Sequence, residues 1–299
     1  MTKLNNINEL KELRQLLEKE TFKPDTMRAK VCCGTACTAT GAYNVIDAFE
    51  KEAGKRDVSL EIVKTGCQGL CQKGPVLKIE PADIFYQRTK PENVSWIVGH
   101  TVFGGVPYRQ GLYRDSFLSE PVPLMTEIPF YKKQLRIALR NNGRIDPCNI
   151  NHYLAVGGYK ALEKALASMT PDEVLNEVDK ANLRGRGGAG FPAGRKWKHS
   201  KGAPGKIKFV IANGDEGDPG AFMDRSTMEG DPHAVLEGLI IAAYAIGASE
   251  GYIYIRAEYP LAVKRVRLAI RQTEEKGFTG DNIMGSNFSF HIHVKEGAG

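Results

Sequence analysis

The chain has 299 residues, enough for two domains or one large one with a sizeable core. Hydrophobic residues make up 42% and charged residues 25%, an ordinary composition for a water-soluble protein. The excess of 41 cations over 35 anions, +6, fits anionic small ligands or acidic partners and is too small to imply nucleic acid.

The N-terminus, "MTKLNNINELKELRQLLEKE", has leucines and Ile7 at helical spacing and no apolar signal core, so residues 1–24 are expected as an N-terminal helix. A βαβ-like pattern follows. "AKVCCG" is a strand entering a loop, "GAYNVIDAFEKEAG" a helix, and "VSLEIVKTGC" a strand ending in a second loop. "GPVLKIEPADIFYQRT" adds two short strands around Pro81-Ala82-Asp83, which completes a small domain over 25–100. From Gly99 to Phe130 the chain loses periodicity and holds prolines at 107, 121, 123 and 129, so 101–140 reads as a linker or wrapping segment. From "FYKKQLRIALRNNG" onward helices dominate. Then come a Gly-rich loop, a strand (Lys208 to Ala212), an acidic loop, a helix opening at Asp231-Pro232 as N-cap and N1, and the strand "GYIYIRA". These fall in a domain over 141–299. The longest apolar run, Ala234 to Ala248, is too short to span a bilayer and contains Glu237. The chain therefore reads as soluble and cytoplasmic, without membrane insertion. In that compartment its six cysteines are ligands or core thiols rather than disulfides.

Cys32-x4-Cys37 and Cys67-x3-Cys71 each sit on a loop just after an expected strand, among small and turn-forming residues. Four thiolates at one end of a sheet can bind an iron–sulfur cluster or a tetrahedral zinc. Zinc ribbons favour C-x2-C knuckles, which neither pair supplies. Buried thiols without a metal are the third reading. Cys33 stands beside the first position, and Cys148 reads as a core or surface thiol.

The segment "LRGRGGAGFPAGRKW", Leu183 to Trp197, holds five glycines, four cations and no acid. Gly185, Gly187 and Gly190 fit G-x-G-x-x-G, but the preceding "TPDEVLNEVDKANL" is helical where a Rossmann fingerprint needs a strand. Pro192 and Gly194 follow the glycines. Up to Lys201 the run collects Arg184, Arg186, Arg195, Lys196, Lys198 and Lys201, again without an acid. Glycines admit close approach of backbone to an anion and the cations neutralise it, so a phosphate cradle is favoured over a flexible loop. The next loop, "ANGDEGDPGAFMDRS", places Asn213, Asp215, Glu216 and Asp218 after a strand, where acceptors suit ribose or ribityl hydroxyls. A divalent-metal loop and a solvated turn are the alternatives. The glycines and Pro219 do not give calcium-loop spacing. His152, His233, His291 and His293 read as structural, and no Ser, His and Asp set is evident.

Two resemblances follow from these motifs. The cysteine spacing, "TGCQGLCQKGP" and "IEPADIFYQ" resemble the thioredoxin-like [2Fe-2S] ferredoxin domain, which implies Cys32, Cys37, Cys67 and Cys71 as the cluster ligands. "LRGRGGAGFPAGRKW" and "NGDEGDPGAFMDRSTMEGDPHAVLEGL" resemble the flavin-binding core of the NADH-oxidising subunit of respiratory complex I. The same core occurs in its relatives in NAD-linked hydrogenases and formate dehydrogenases. The expected fold class is therefore α/β, with a thioredoxin-like [2Fe-2S] ferredoxin domain followed by the N-terminal part of a complex I-type FMN-binding α/β domain. Both domains in one chain are similar to the beta subunit of electron-bifurcating [FeFe] hydrogenases.

The resemblance implies that Gly185, Arg186, Gly187 and Lys196 contact FMN, and that Asn213, Asp215 and Glu216 hold the ribityl chain and phosphate. It implies that Phe191 stacks on NAD(H) and that Asp218 approaches the dinucleotide, with the chemistry carried by FMN rather than by a catalytic side chain. Asp218 is shorter than the glutamate common in the family, and His199 stands near the place of a second aromatic. The expected partners are an iron–sulfur hydrogenase or formate dehydrogenase catalytic subunit and a small [2Fe-2S] thioredoxin-like subunit, in a multi-subunit complex. The chain ends at "KEGAG", before the part in which the family carries its [4Fe-4S] ligands, so a truncated chain is expected.

Overall fold

The structure is a computed structural model and describes residues 3–218 and 220–298. Met1, Thr2 and Gly299, at the ends of the expected segments, and Pro219 of the acidic loop lie outside the described residues. The chain divides into two units. One gathers the chain up to Lys19, Ile150–Met228 and the chain from Pro232, and the other gathers Glu20–Asn149 and Glu229–Asp231.

The first helix, α1 (Ile7–Glu20), belongs to the former unit. Asn6 caps it, its carboxamide oxygen accepting from the Glu9 amide at 3.0 Å while Glu9 accepts from the Asn5 amide at 2.9 Å. Its buried Leu10 and Arg14 share one face, and Arg14 pairs with Glu163.

In the unit of 20–149, β1 (Arg28–Cys32) runs into α2 (Thr35–Ala39) and α3 (Ala42–Arg56), and β2 (Glu61–Thr65) returns parallel to β1. The hairpin β3 (Leu77–Glu80) and β4 (Ile84–Tyr86) completes a sheet of order β2-β1-β3-β4, with β3 antiparallel to β1 and β4 to β3. Every residue of β1 is buried, as befits a central strand covered on both faces. Helix α3 buries Ala42, Val45, Ile46, Phe49 and Ala53, a stripe at helical spacing. Helix α4 (Pro91–Ile97) adds Val94 and Ile97 to the same core. The proline-rich stretch after it lies along β4, through bridges Ile84↔Leu124 and Tyr86↔Leu112. The buried Tyr86 hydroxyl bonds Thr101 and accepts from the Tyr108 amide at 2.9 Å.

One expectation fails here. "FYKKQLRIALRNNG" is not helical beyond α5 (Pro129–Lys132), and 133–149 runs as turns until the next helix. Leu135 and Ile137 are 88% and 69% exposed, so the apparent apolar stripe meets no core, and propensity alone does not hold a short helix. Asn141-Asn142-Gly143, with Gly143 at φ +81°, then breaks the path.

The other unit continues with α6 (Ile150–Ala155), α7 (Lys160–Ser168), α8 (Pro171–Lys180) and α9 (Ala193–Gly202). After β5 (Phe209–Gly214) come α10 (Met223–Gly230), α11 (Pro232–Ile246), β6 (Glu250–Arg256), α12 (Pro260–Lys276) and β7 (His291–Gly297). Thr170 and Glu173 form a capping box at the start of α8, with Pro171 at its first position. The three strands pair in parallel in the order β5-β6-β7. Helix α11 is apolar nearly all round, and it packs on β5, β6 and the helices α7, α8, α9 and α12.

Its two buried polar side chains are both hydrogen-bonded. Glu237 accepts from the Tyr153 hydroxyl at 2.6 Å and from the amides of Tyr159, Ala161 and Leu162 at 2.9–3.1 Å. His233, 1% exposed, bonds the Tyr159 hydroxyl through Nδ1 and Gln272 Oε1 through Nε2, each at 3.0 Å. An amide oxygen only accepts, so Nε2 carries a proton, and the tyrosine hydroxyl can donate to a neutral ring at Nδ1. Burial pushes its pKa down to about 4, against the opposing bond to Gln272. A histidine held neutral binds fewer protons folded than unfolded, so its stabilising effect falls as pH drops from about 6.5 towards 4. The full effect is on the order of 3 kcal/mol. Thermal unfolding from pH 7.5 to 4.5 should show this loss in the native chain and a shallower one in His233→Asn; identical slopes would refute it.

Candidate functional site

The parallel pairing of β1 with β2 sets Cys32 opposite Thr65, so both cysteine loops leave the same end of the sheet. The Cys33 amide donates to the Thr65 carbonyl at 2.8 Å and fastens the loops at their roots. Cys37 lies on α2, and Cys71 opens a 3-10 turn, Cys71–Lys73. The four thiols form a chain of contacts: Cys37 to Cys32, Cys32 to Cys67, and Cys67 to Cys71 at 3.5 Å. The chain runs from buried Cys32 and Cys37 to half-buried Cys67 and exposed Cys71. Among the described residues no three His, Cys, Asp or Glu side chains converge as a single metal ion needs. The bonds of Cys32 to Cys37 and Cys67, with its burial, hold its thiol well above the usual cysteine range, while the bond from Cys32 lowers Cys37.

The surroundings are shaped to this group. A Cβ at Gly34 would stand 2.8 Å from the Cys67 Cβ, and one at Gly74 would stand 2.9 Å from the Cys37 sulfur. The Gly69 amide, at φ +91°, donates to the Cys67 sulfur at 3.3 Å. Cys33 is fully buried in the core and Cys148 is exposed. Sequence reasoning passed over two supports. Tyr131 is buried near the thiols, with no partner for its hydroxyl among the described residues, and burial raises its pKa. Glu229, 1% exposed, accepts from the Thr35 amide at 3.1 Å and from the Thr35 hydroxyl at 2.5 Å, on the turn between Cys32 and Cys37. Gly230 meets Gly66, where a Cβ would lie 2.3 Å from the Gly230 Cα, and the Asn142 side chain donates to the Cys67 carbonyl at 2.9 Å. No local pattern near the cysteines points to a glutamate about two hundred residues away.

In the other unit the Gly-rich loop is a small hairpin closed by the Gly185 amide on the Phe191 carbonyl at 2.9 Å and the Ala193 amide on the Leu183 carbonyl at 2.7 Å. Arg184 donates to the Gly190 carbonyl at 3.2 Å. Gly187, Gly188 and Gly190 have nothing within 4 Å of an added Cβ, and the last two take positive φ, so the tip presents open backbone. Phe191 is 48% exposed beside it, and Arg186 and Lys196 are exposed. The loop opens onto a helix after all, α9, although what precedes it is α8 rather than a strand. Gly194 lets those helices meet, for a Cβ there would lie 2.5 Å from the Asp179 Cα. That approach sorts the cations. Lys198 pairs with Asp179 at 2.7 Å and Lys201 with Asp172 at 2.6 Å. Among the described residues Arg184, Arg186, Arg195 and Lys196 have no carboxylate at ion-pair distance.

The acidic loop is tied internally. Asn213 accepts from the Asp215 amide at 2.8 Å. The Glu216 carboxylate accepts from the Asp224 and Arg225 amides at 3.0 and 3.2 Å, filling orphan donors at the start of α10. Arg256 approaches Asp215 at 3.8 Å and donates to the Glu216 carbonyl at 2.9 Å. Asp218 is exposed. Among the described residues no hydrogen bond or ion pair joins Gly185, Arg186, Gly187, Phe191 or Lys196 to Asn213, Asp215, Glu216 or Asp218. His291 and His293 face separate carboxylates, Asp281 and Glu250.

Comparison with known proteins finds a family match over each of the two segments that bear these residues. Residues 20–101 match the family described as thioredoxin-like [2Fe-2S] ferredoxin, and residues 178–299 match the Nuo51 FMN-binding domain. The fold is a thioredoxin-like [2Fe-2S] ferredoxin domain followed by a Nuo51 FMN-binding domain. Its cofactors are FMN and a [2Fe-2S] cluster.

The chain is 55% identical over 168 residues to HndC, a subunit of the NADP-reducing hydrogenase of Solidesulfovibrio fructosivorans, covering 56% of this chain and 34% of that protein. It is 50% identical over 163 residues to a subunit of the NADH-quinone oxidoreductase of Rhizobium meliloti, covering 54% of this chain and 39% of that one. The matched region thus spans little more than a third of these curated relatives. A solved NAD+-reducing [NiFe]-hydrogenase in the air-oxidized state aligns with 98% of this chain and 46% of its own, at 21% identity and a TM-score of 0.43.

The residues present fit both groups. Four contacting thiols among glycines that leave no room for a Cβ suit a sulfur-rich cluster, and open backbone beside four uncompensated cations suits a phosphate-bearing flavin. Removing the Glu229 carboxylate takes both acceptors from Thr35 and empties a side-chain position that is 1% exposed. Glu229→Ala should therefore lower stability by about 2 kcal/mol and reduce bound iron per chain, with Glu229→Gln intermediate. Denaturant unfolding and iron analysis check this; wild-type values for the alanine variant would refute it.

Proposed function

We propose that this chain carries the flavin and one iron–sulfur centre of an NAD(H)-dependent oxidoreductase, of the kind found in NAD-linked hydrogenases and complex I-type dehydrogenases. The observation that carries this reading is the sorting of cations at the Gly-rich loop. Two lysines are consumed by α8, and Arg184, Arg186, Arg195 and Lys196 are left for an anion beside exposed glycine backbone. The motif lies within the FMN-binding match, and the relatives' names supply the nucleotide: NADP in one and NADH in the other.

In this reading Gly185, Arg186, Gly187 and Lys196 hold the flavin phosphate side by backbone amides and charge. Asn213 and Asp215 offer acceptors to ribityl hydroxyls, Asp215 being steadied by Arg256. Glu216 acts chiefly through its bonds to α10, holding the loop in shape. Half-exposed Phe191 stacks on the dinucleotide and Asp218 approaches it. Cys32, Cys37, Cys67 and Cys71 hold the cluster. The cluster part spans 25–100 and the flavin part 141–299, joined by the wrapping segment 101–140, with 1–24 as a leading helix. Bound FMN would supply the exchange between hydride and single-electron transfer; the protein orients it and excludes rivals. The hydrogenase name of one relative supports a hydrogenase as the enzyme served, within a multi-subunit complex, and electron bifurcation is the finer role proposed for it. Among the described residues no helix is long and apolar enough to cross a membrane.

The test is flavin released by heat from the purified chain, identified and quantified. FMN near one equivalent is expected, with NADH bleaching its absorbance. Arg186→Glu should lower FMN affinity by about tenfold or more while leaving bound iron unchanged, since it removes a charge-assisted phosphate contact. A folded, iron-containing chain that takes up no FMN would overturn the flavin reading and leave an electron-carrier module.

A further inference from the structure

A second basic site lies in the unit of 20–149, over the start of β1 and the hairpin β3–β4. A cleft of about 440 Å3 is lined by Arg28, Lys30, Lys78, Arg136, Arg140 and Arg144, with Glu80 and Asp83 as its acids. That volume falls in the range of ligand sites, roughly 300–1,000 Å3. Its floor is the start of β1 and the hairpin β3–β4, and its rim is the turn segment 133–149 that the sequence had suggested as helix.

Floor and rim differ in charge. On the floor, Arg28 bonds Glu61 at 2.6 Å, Lys30 bonds Glu80 at 2.9 Å, and Lys78 bonds Glu80 at 3.1 Å and Asp83 at 2.8 Å. Three cations meet three carboxylates there, so the floor is neutral and rigid, with Arg28 and Lys30 each 3% exposed. Burial lowers the Lys30 pKa despite Glu80, so added negative charge nearby would be welcome to it. On the rim, Arg136, Arg140 and Arg144 have no carboxylate at ion-pair distance among the described residues. Arg136 lies over the Tyr131 ring at 5.5 Å and its Nη1 is buried without an acceptor, while Arg140 donates to the Ile137 carbonyl at 3.3 Å. Three guanidiniums gathered on one wall repel each other, and their planar forks match phosphate oxygens. No helix stripe explains the gathering, because the segment is not helical.

We infer that this cleft binds a small polyanion bearing two linked phosphate groups, held by Arg136, Arg140 and Arg144 over the neutral floor. The site is independent of the flavin loop, and the same diphosphate chemistry could arrive free or as part of a nucleotide.

The experiment is isothermal titration calorimetry of the full chain at low salt with inorganic pyrophosphate, then with ADP. One equivalent of pyrophosphate should bind, weakened at least about tenfold in Arg140→Glu/Arg144→Glu, as loss of charge-assisted bonds requires. It should be unchanged in Lys11→Glu, at an exposed position of α1. The milder Arg140→Gln/Arg144→Gln serves if the glutamates impair folding, which circular dichroism reports. Tighter binding of ADP with the same dependence on the rim arginines would assign a nucleotide, and equal binding a free diphosphate. No heat with pyrophosphate up to about 1 mM would overturn the proposal. So would binding that survives the rim substitutions, or that is abolished instead by Arg186→Glu in the flavin loop.

Discussion

The parallel pairing that sets Cys32 against Thr65 is the constraint on which the cluster unit rests. Parallel neighbours need a crossover, which α3 supplies, and both loops that follow the strands then open at one end of the sheet. Two cysteine pairs about thirty residues apart thereby become one set of contacting thiols. Little else could be allowed there: Gly34, Gly66 and Gly74 each stand where a Cβ would clash with a thiol-bearing residue or with Gly230.

The same economy appears in the flavin-binding unit, where close approach of α8 and α9 at Gly194 decides the electrostatics. Two aspartates on α8 consume two lysines of α9, and the remaining cations stay uncompensated around a hairpin of open glycine backbone. Burial in this unit is expensive for polar groups, and α11 meets that cost completely. Glu237 accepts four hydrogen bonds, and His233 uses both ring nitrogens. Such a network specifies how α6, α7 and α12 assemble around α11, and so how firmly the parallel sheet carrying the acidic loop is held.

Much of the site was legible in the chain itself. The cysteine spacings, the acid-free glycine loop and the acidic run after β5 are local patterns, and each falls at or beside the loop where the sequence placed it. One misreading has a plain physical cause. "FYKKQLRIALRNNG" carries a helical stripe, but Leu135 and Ile137 find no partner surface and stay in water. Pro192 and Gly194, which follow the glycines, stand at the start of α9, and Gly194 is where two helices touch. The sequence could not show that the Glu216 carboxylate also accepts from the first amides of α10.

By itself the sequence determined the chemistry available: four thiols at two fixed short spacings, a glycine-rich basic loop, and a run of acceptors after a strand. These depend on neighbours along the chain, where spacing is geometry. Only the tertiary structure decided which charges remain to act. It spent Lys198 and Lys201 on α8, bound Glu229 to Thr35 between two cysteines, and gathered Arg136, Arg140 and Arg144 above the paired charges of β1 and β3. Ion pairing and burial depend on distances between segments far apart in the chain, and those distances exist only once the core has packed.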